Sequence, residues 1–289
     1  MMKIAYVSYQ IQEKYTSATV DEDKALLDFL TNKGLSIERV IWNDPAADWK
    51  SYDLAVIKSP WDYHEHIAAF KQWLDHIESL NLKLLNPYER IRWNMDKHYL
   101  GEIAASGLAV IPSFFLEKGD LLDLNALTAH FNTEKLIIKP CISAGAKNTF
   151  IITAQNLADY EAQINGLLQE EAFLAQPFMP EIHDGEWSYL FFNGKYSHSL
   201  LKVPKDGDFR VQSYHGGSVN VQEGVDKHIK DATAYVEQYA AGCLYARVDG
   251  LIVNGELNLM ELELIEPYLF LNTHQEAFES YYQALLAAL

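Results

Sequence analysis

Apolar positions in the first third of the chain recur in two alternating rhythms. Residues 4–7, 37–42 and 54–57 are short, mostly apolar runs of strand length. Between them, Ala25, Leu26, Phe29 and Leu30, and later Ile67, Phe70, Leu74 and Ile77, repeat at the three- and four-residue spacing of one helix face. Gly34 ends the first helical pattern, and Leu84-Leu85 closes the unit as a further strand. Strands alternating with helices predict parallel pairing through right-handed crossovers, so the first 90 or so residues read as a small doubly wound α/β domain.

The rhythm then changes. A helix is expected around residues 95–106, ending near Gly107, and beyond it longer strands are joined by hairpins. Residues 136–139 and 149–152 flank a loop of small residues. Residues 187–192 and 195–203 flank Asn193-Gly194, and residues 244–253 and 256–264 flank Asn254-Gly255; Asn-Gly is a strong two-residue hairpin signal. Phe278, Tyr281 and Leu285 mark a closing helix. The pattern predicts an α/β lobe followed by an antiparallel α+β region.

Composition narrows the function classes. With 289 residues, 49% hydrophobic and 22% charged, the chain buries a sizeable core. A net charge of -17 opposes nonspecific binding to nucleic acid or an anionic membrane, although local Lys and Arg clusters still accommodate an anionic ligand. Cys141 and Cys243 stand far apart in no metal-type spacing, which fits a reducing, cytoplasmic location. The opening strand is too short for a signal sequence, and no apolar run reaches membrane-spanning length. Apolar residues near the last helix leave room for a homodimer.

Asp249 interrupts a largely apolar run, and Glu261 and Glu263, two apart, project from one strand face. Carboxylates buried in apolar strands are costly unless a cation offsets them, and hard oxygen donors at this density suit Mg²⁺ or Mn²⁺. The plainer alternative is a solvated face with Arg247 as ion-pair partner. The metal reading makes a geometric demand. A two-residue turn at Asn254-Gly255 places Asp249 opposite Met260, leaving Asp249 and Glu261 on opposite faces. The expectation is therefore a bulged connection, with Gly255 left-handed after a type I turn.

Four further features carry chemistry. Lys139 ends an apolar strand and precedes Ser143-Ala144-Gly145-Ala146, a small-residue loop that brings backbone amides to phosphate oxygens; Lys97 lies upstream. Alone, each lysine reads as a surface residue, and the loop lacks the Gly-Lys-Ser/Thr ending of a P-loop. Gln176-Pro177-Phe178-Met179 is an extended apolar segment suited to a purine edge, followed by Glu181 for ribose hydroxyls; the alternative is a proline-flanked edge strand. Arg210 suits a transferring phosphoryl group or an oxyanion, and Gly216-Gly217 allow backbone donors to approach it. Ser59, Trp61, Asp62 and Tyr63 follow the third strand at the carboxyl end where such sheets bind ligands, and suit an amino-acid-like substrate. A structural loop around a packed tryptophan competes with that reading.

Taken in order, Lys97, the Ile138-Lys139-Pro140 strand end with its loop, residues 176–181, Phe209-Arg210 with Gly216-Gly217, Asp249 and the Glu261/Glu263 pair resemble the ATP-grasp superfamily. The string Glu261-Leu262-Glu263-Leu264-Ile265-Glu266-Pro267, the loop from Ser59 to Tyr63 and Tyr245-Ala246-Arg247-Val248-Asp249 are similar to a subgroup that includes the O-ureido-serine cyclo-ligase of cycloserine biosynthesis; glutathione synthetase-like ligases are more distant. Glu263 departs from the Asn common in those distant relatives, and Lys58 and Cys141 depart from the subgroup pattern.

The resemblance implies an N-terminal pre-ATP-grasp domain over residues 1–92, a small lobe over 93–178 and a C-terminal lobe with the metal site over 179–289. It implies ATP and Mg²⁺ as cofactors. Lys97 and Lys139 would hold phosphates under the loop of Ser143, Ala144 and Gly145. Gln176, Pro177, Phe178 and Met179 would hold adenine, Glu181 or less securely Glu186 the ribose, and Asp249, Glu261 and Glu263 one or two Mg²⁺. Arg210 would stabilise an acyl phosphate and the tetrahedral intermediate formed when an amine attacks. The implied activity joins, or cyclises, an amino-acid-like carboxylate and an amine; the competing classes are a kinase that stops at phosphoryl transfer and a nucleotide-binding scaffold without turnover.

Overall fold

The computed structural model describes residues 2–10, 21–211 and 215–289. Its first unit comprises β1 (Lys3–Ser8), α1 (Glu22–Asn32), β2 (Ser36–Ile41), β3 (Leu54–Ser59), α2 (Ile67–Ser79) and β4 (Lys83–Leu85). The strands form a parallel sheet in the order β2-β1-β3-β4. Alternation explains why β1 and β3 are apolar on both faces. Ile4, Tyr6 and Val56 pack with Leu26 and Leu30 of α1, whereas Ala5, Val7 and Ile57 pack with Phe70, Leu74 and Ile77 of α2.

The single helix expected over residues 95–106 is divided. After α3 (Tyr88–Asn94) the chain turns through Met95-Asp96-Lys97-His98 before α4 (Tyr99–Ala105) begins. Two bonds account for the break: Asp96 Oδ1 accepts from His98 N (3.1 Å), and Lys97 N donates to Cys141 O (2.9 Å) instead of continuing a helix. The second bond carries Lys97 to the next sheet.

That sheet, ordered β5-β8-β6-β7, is antiparallel and comprises β5 (Phe114–Leu116), β6 (Lys135–Pro140), β7 (Phe150–Thr153) and β8 (Phe173–Pro177). The helices α5 (Leu124–Phe131) and α6 (Leu157–Leu168) cover one face, where Leu136 and Ile138 pack with Leu127, Ile164 and Leu168. Period two then turns Ile137 and Lys139 to the other face.

The third sheet, ordered β11-β10-β9-β12-β13, contains β9 (Glu186–Phe192), β10 (Lys195–Val203), β11 (Ser218–Val221), β12 (Tyr245–Val253) and β13 (Glu256–Glu263), with α7 (Asp226–Tyr239) and the closing α8 (Ala277–Ala288). Both Asn-Gly turns are two-residue turns with positive φ at each central residue: 47° and 74° at Asn193-Gly194, 52° and 77° at Asn254-Gly255. Val253 pairs with Glu256, so the bulged turn expected at Gly255 is absent. The extra residue lies further up the hairpin. Gly250 pairs with Leu259 and Asp249 with Glu261, leaving Met260 as the bulge.

Asparagines tie this hairpin to the preceding segments. Asn86 Nδ2 donates to Tyr245 O (2.9 Å) and Leu264 O (2.8 Å), and its Oδ1 accepts from Leu244 N (2.7 Å). Asn94 likewise donates to Leu262 O (2.7 Å) and accepts from Leu264 N (2.9 Å). Both side chains are buried, where unmade bonds to these strand ends would be costly.

Candidate active site

A cleft of about 700 Å³ has walls from the second and third sheets and a rim from the first domain. One wall is the β12–β13 hairpin. The Met260 bulge brings Asp249 opposite Glu261 and Arg247 opposite Glu263, and all four side chains line the cleft. Arg247 grips Asp249 through Nε to Oδ1 (3.0 Å) and Nη2 to Oδ2 (2.8 Å), bonds Glu263, and donates to Tyr268 O (2.9 Å). From β10, Lys202 pairs with Glu186 and lies 3.3 Å from Asp249 Oδ2; Ser188 also donates to Asp249.

Charge balance separates the three carboxylates. Burial raises Asp249, but Arg247 and Lys202 outweigh it and hold the group at about 2. At Glu263 burial dominates, helped by Asp249 and Glu261, and pushes the carboxyl up to about 8 against the pull of Arg247. Glu261 is also penalised by burial, yet Lys97 and Lys139 keep it below its ordinary value.

Opposite this wall stand the lysines. Lys97 Nζ lies 3.1 Å from Glu261 Oε1 and donates to Ser143 O (2.8 Å). Lys139 reaches the cleft from the end of β6, where burial lowers its pKa. Ser143, Ala144 and Gly145 line the space beside both, and Ser143 Oγ donates to Pro140 O (3.0 Å). Gln176, Pro177, Phe178 and Met179 form the next stretch of wall. Ile111, Ile182, Val211 and Leu251 cluster there with Phe178, Met179 and Met260, an apolar compartment suited to a flat ring. Gln176 Nε2 donates to Ser113 Oγ (3.0 Å), and Lys135 Nζ sits 3.4 Å from the Phe178 ring centre.

Of the two carboxylates considered for a ribose, Glu186 lines the cleft, whereas Glu181 lies outside its wall with Oε2 buried and without a hydrogen-bond partner among the described residues. Arg210 lines the cleft and pairs with Asp208 (2.8 Å). Gly216 and Gly217 do not line it. A Cβ on Gly217 would fall 2.2 Å from Val211 O, so its small size serves backbone packing. From the first domain only Trp61 of the four expected residues reaches the cleft. Ser59 is buried against Asp23, Asp62 Oδ1 accepts from Trp42 Nε1 (2.7 Å), and Tyr63 packs against Phe70. Apolar neighbours and satisfied polar atoms hold those three in the domain's own core.

Sequence reasoning missed Lys202 as a cleft residue and treated Arg247 only as an ion-pair partner. A signal existed for Lys202. It shares strand parity with buried His198 and Leu200, so a cation interrupts an inward-facing register.

The three-sheet fold and this cleft define a class. The model of the prokaryotic glutathione synthetase ATP-grasp domain matches residues 122–272, a little more than half of the chain. The chain belongs to the ATP-grasp family and is an ATP-dependent carboxylate–amine ligase. The model of the D-cycloserine synthetase DcsG N-terminal domain matches residues 4–86. Over 93% of this chain and 94% of the relative, it is 26% identical to the cycloserine biosynthesis protein DcsG of Streptomyces lavendulae. The crystal structure of D-cycloserine synthetase DcsG superposes with a TM-score of 0.82 at 24% identity, covering 98% of each chain. D-alanine–D-alanine ligase from Bacillus anthracis, solved with ATP, gives 0.70 at 16% identity, covering 100% of this chain and 96% of that one.

Proposed function

We propose that the cleft transfers the γ-phosphoryl group of ATP to a carboxylate of an amino-acid-like small molecule or peptide, and that an amine then displaces phosphate from the acyl phosphate. The carrying observation is the pairing of cations with carboxylates in the cleft: Lys97 with Glu261 from one wall to the other, and Lys202 with Glu186 and Asp249 within one sheet. Each pair joins a phosphate-binding group to a carboxylate suited to a cation or a hydroxyl. Magnesium–ATP supplies both complements, so binding exchanges one set of ion pairs for another without burying unmatched charge.

In this reading Lys97, Lys139 and Lys202 hold phosphates beneath Ser143, Ala144 and Gly145. Gln176 to Met179 and the apolar cluster hold adenine, and Glu186 or Glu181 the ribose. Asp249, Glu261 and Glu263 fit Mg²⁺ by their donor chemistry: three hard carboxylates on one face, one of them pushed up to about 8 by burial and by its two acidic neighbours. When bound, Mg²⁺ neutralises charge on the transferring phosphoryl group. Arg210 stabilises the acyl phosphate and the tetrahedral intermediate. Substrate recognition falls to Trp61 among the first-domain residues expected to supply it.

The domain division at residues 92 and 178 serves this scheme, with each ligand held between two units. Intramolecular ring closure is a second reading, favoured by the match to the DcsG N-terminal domain over residues 4–86. No described helix is long and apolar enough to cross a membrane, which accords with a cytoplasmic setting. Exposed Leu286 and Leu289 mark where a homodimer contact would form. The test is ADP release with magnesium–ATP across amino acids and short peptides, with and without an amine acceptor. ADP release requiring both partners supports the linear ligase, and release with one bifunctional compound supports ring closure. Silence despite nucleotide binding removes the substrate class.

A further inference from the structure

Glu266 is the carboxyl group the cleft leaves unmatched. It lies three residues beyond Glu263, lines the cleft, and among the described residues its side chain makes no hydrogen bond or ion pair. The cations acting on it are engaged elsewhere, Lys97 with Glu261 and Arg247 with Asp249 and Glu263. Its backbone is held firmly. Trp61 Nε1 donates to Glu266 O (3.0 Å), buried Lys58 donates to Pro267 O (3.0 Å), and Glu22 accepts from Leu269 N (2.8 Å) and Leu271 N (2.9 Å). Burial, with Glu263 and Glu261 nearby, drives this carboxyl well above its ordinary range. The aromatic rings of Trp61, Tyr268 and Phe270 line the same cleft, and aromatic faces favour a cation.

We propose that Glu266 is the counter-ion for a protonated α-amino group on the carboxylate substrate, so the cleft selects α-amino acids over the corresponding deaminated acids. This rests on the ligase reading above. One carbon separates ammonium from carboxylate in an α-amino acid, so an ammonium anchored at Glu266 sets the carboxylate beside Glu261 and Glu263, where phosphoryl transfer is placed. A nitrogen held as ammonium has no free electron pair and cannot attack the acyl phosphate. It is therefore a recognition group, and the attacking amine is a different nitrogen.

The experiment uses the full chain with magnesium–ATP and hydroxylamine as the common acceptor. Hydroxylamine nitrogen forms the new bond to the acyl carbon, the carbon–oxygen bond to phosphate breaks, phosphate leaves with the electron pair, and the nitrogen loses a proton to solvent. Paired acids are compared in both configurations, such as alanine with propionate and serine with 3-hydroxypropionate. Thermal shift with magnesium and a nonhydrolysable ATP analogue measures binding separately. The wild type should favour each amino acid over its deaminated partner, and Glu266→Gln should reduce that ratio at least about tenfold, the scale of a hydrogen bond to a charged group. Glu266→Asp should keep part of it.

An unchanged ratio in Glu266→Gln overturns the proposal. So does a raised Mg²⁺ requirement with the ratio unmoved, which makes Glu266 a metal ligand, and so does a wild type that binds no amino acid better than its deaminated partner. Glu266-dependent binding of amino acids without hydroxamate leaves the counter-ion in place and instead defeats the acyl-phosphate reading.

Discussion

Asp249 faces Glu261 across the β12–β13 ladder because Met260 is one residue too many for a regular hairpin. Without that bulge, the tight turn at Asn254-Gly255 would put the two carboxylates on opposite faces of the sheet. The strand paired at the bulge has its own requirement: a Cβ on Gly250 would lie 2.5 Å from Asn258 O and 2.9 Å from Leu257 Cδ1.

Gly250→Ala should therefore destabilise the protein by about 1–3 kcal/mol, the usual cost of forcing an extra carbon into a packed site. It should also lower ADP release by disturbing the Asp249–Glu261 register. Urea unfolding and a coupled ADP assay measure the two effects. Wild-type values for both would mean that close packing at Gly250 does not hold the bulge.

Arg247 balances Asp249 and Glu263 from within the cleft wall, with 9% of its side chain exposed. Removing it while leaving the carboxylates should cost about 3–5 kcal/mol, because buried charge is left uncompensated. Arg247→Met measured by urea unfolding without nucleotide or metal checks this. A loss below about 1 kcal/mol would show that solvent screens the pair.

Glu261→Gln should reduce ADP release at least about a hundredfold, on the scale of losing one preorganised electrostatic contact to a transition state. Glutamine keeps the shape and removes the charge that Lys97 and a metal would share. A rate within about threefold of wild type would take Glu261 out of the proposed metal set.

His198 is buried on β10, and its Nε2 donates to Leu269 O at 3.0 Å. Burial pulls its pKa down to about 4 from an ordinary value near 6.5. Above pH 6.5 the ring is neutral in both folded and unfolded chains and contributes no pH dependence. Between about 6.5 and 4 the unfolded chain takes up a proton that the folded one refuses. Stability should therefore fall on acidification by up to about 1.4 kcal/mol per pH unit from this group. Urea unfolding from pH 8 to 4 should show His198→Gln with a shallower acid limb; parallel curves would assign the proton uptake elsewhere.

The alternation of strand and helix in the first domain was legible because backbone periodicity is a local property. Ile4 to Val7 and the spacing from Ile67 to Ile77 carry their own evidence of which faces are apolar. The two Asn-Gly turns were legible for the same reason, since a two-residue turn needs positive φ at adjacent positions that Asn and Gly tolerate. Residue chemistry marked Asp249, Glu261 and Glu263 as a set, and the requirement that they share a face followed from the period of a strand.

Where the compensating residue would fall did not follow, because a bulge is chosen by packing between strands distant in sequence. Met260 and Gly250 each fit an ordinary strand when read alone. The same reason hid the division of the helix at Lys97, which depends on a bond to Cys141 O on another sheet. It also misplaced Asp62 and Tyr63, whose partners Trp42 and Phe70 come from other elements. Residue types and spacing alone determined most of the strands and helices and singled out Asp249, Glu261, Glu263, Lys97 and Lys139 as candidates for the chemistry. Tertiary structure decided which of them meet, because burial and long-range pairing set the direction of each side chain and the charge balance around it.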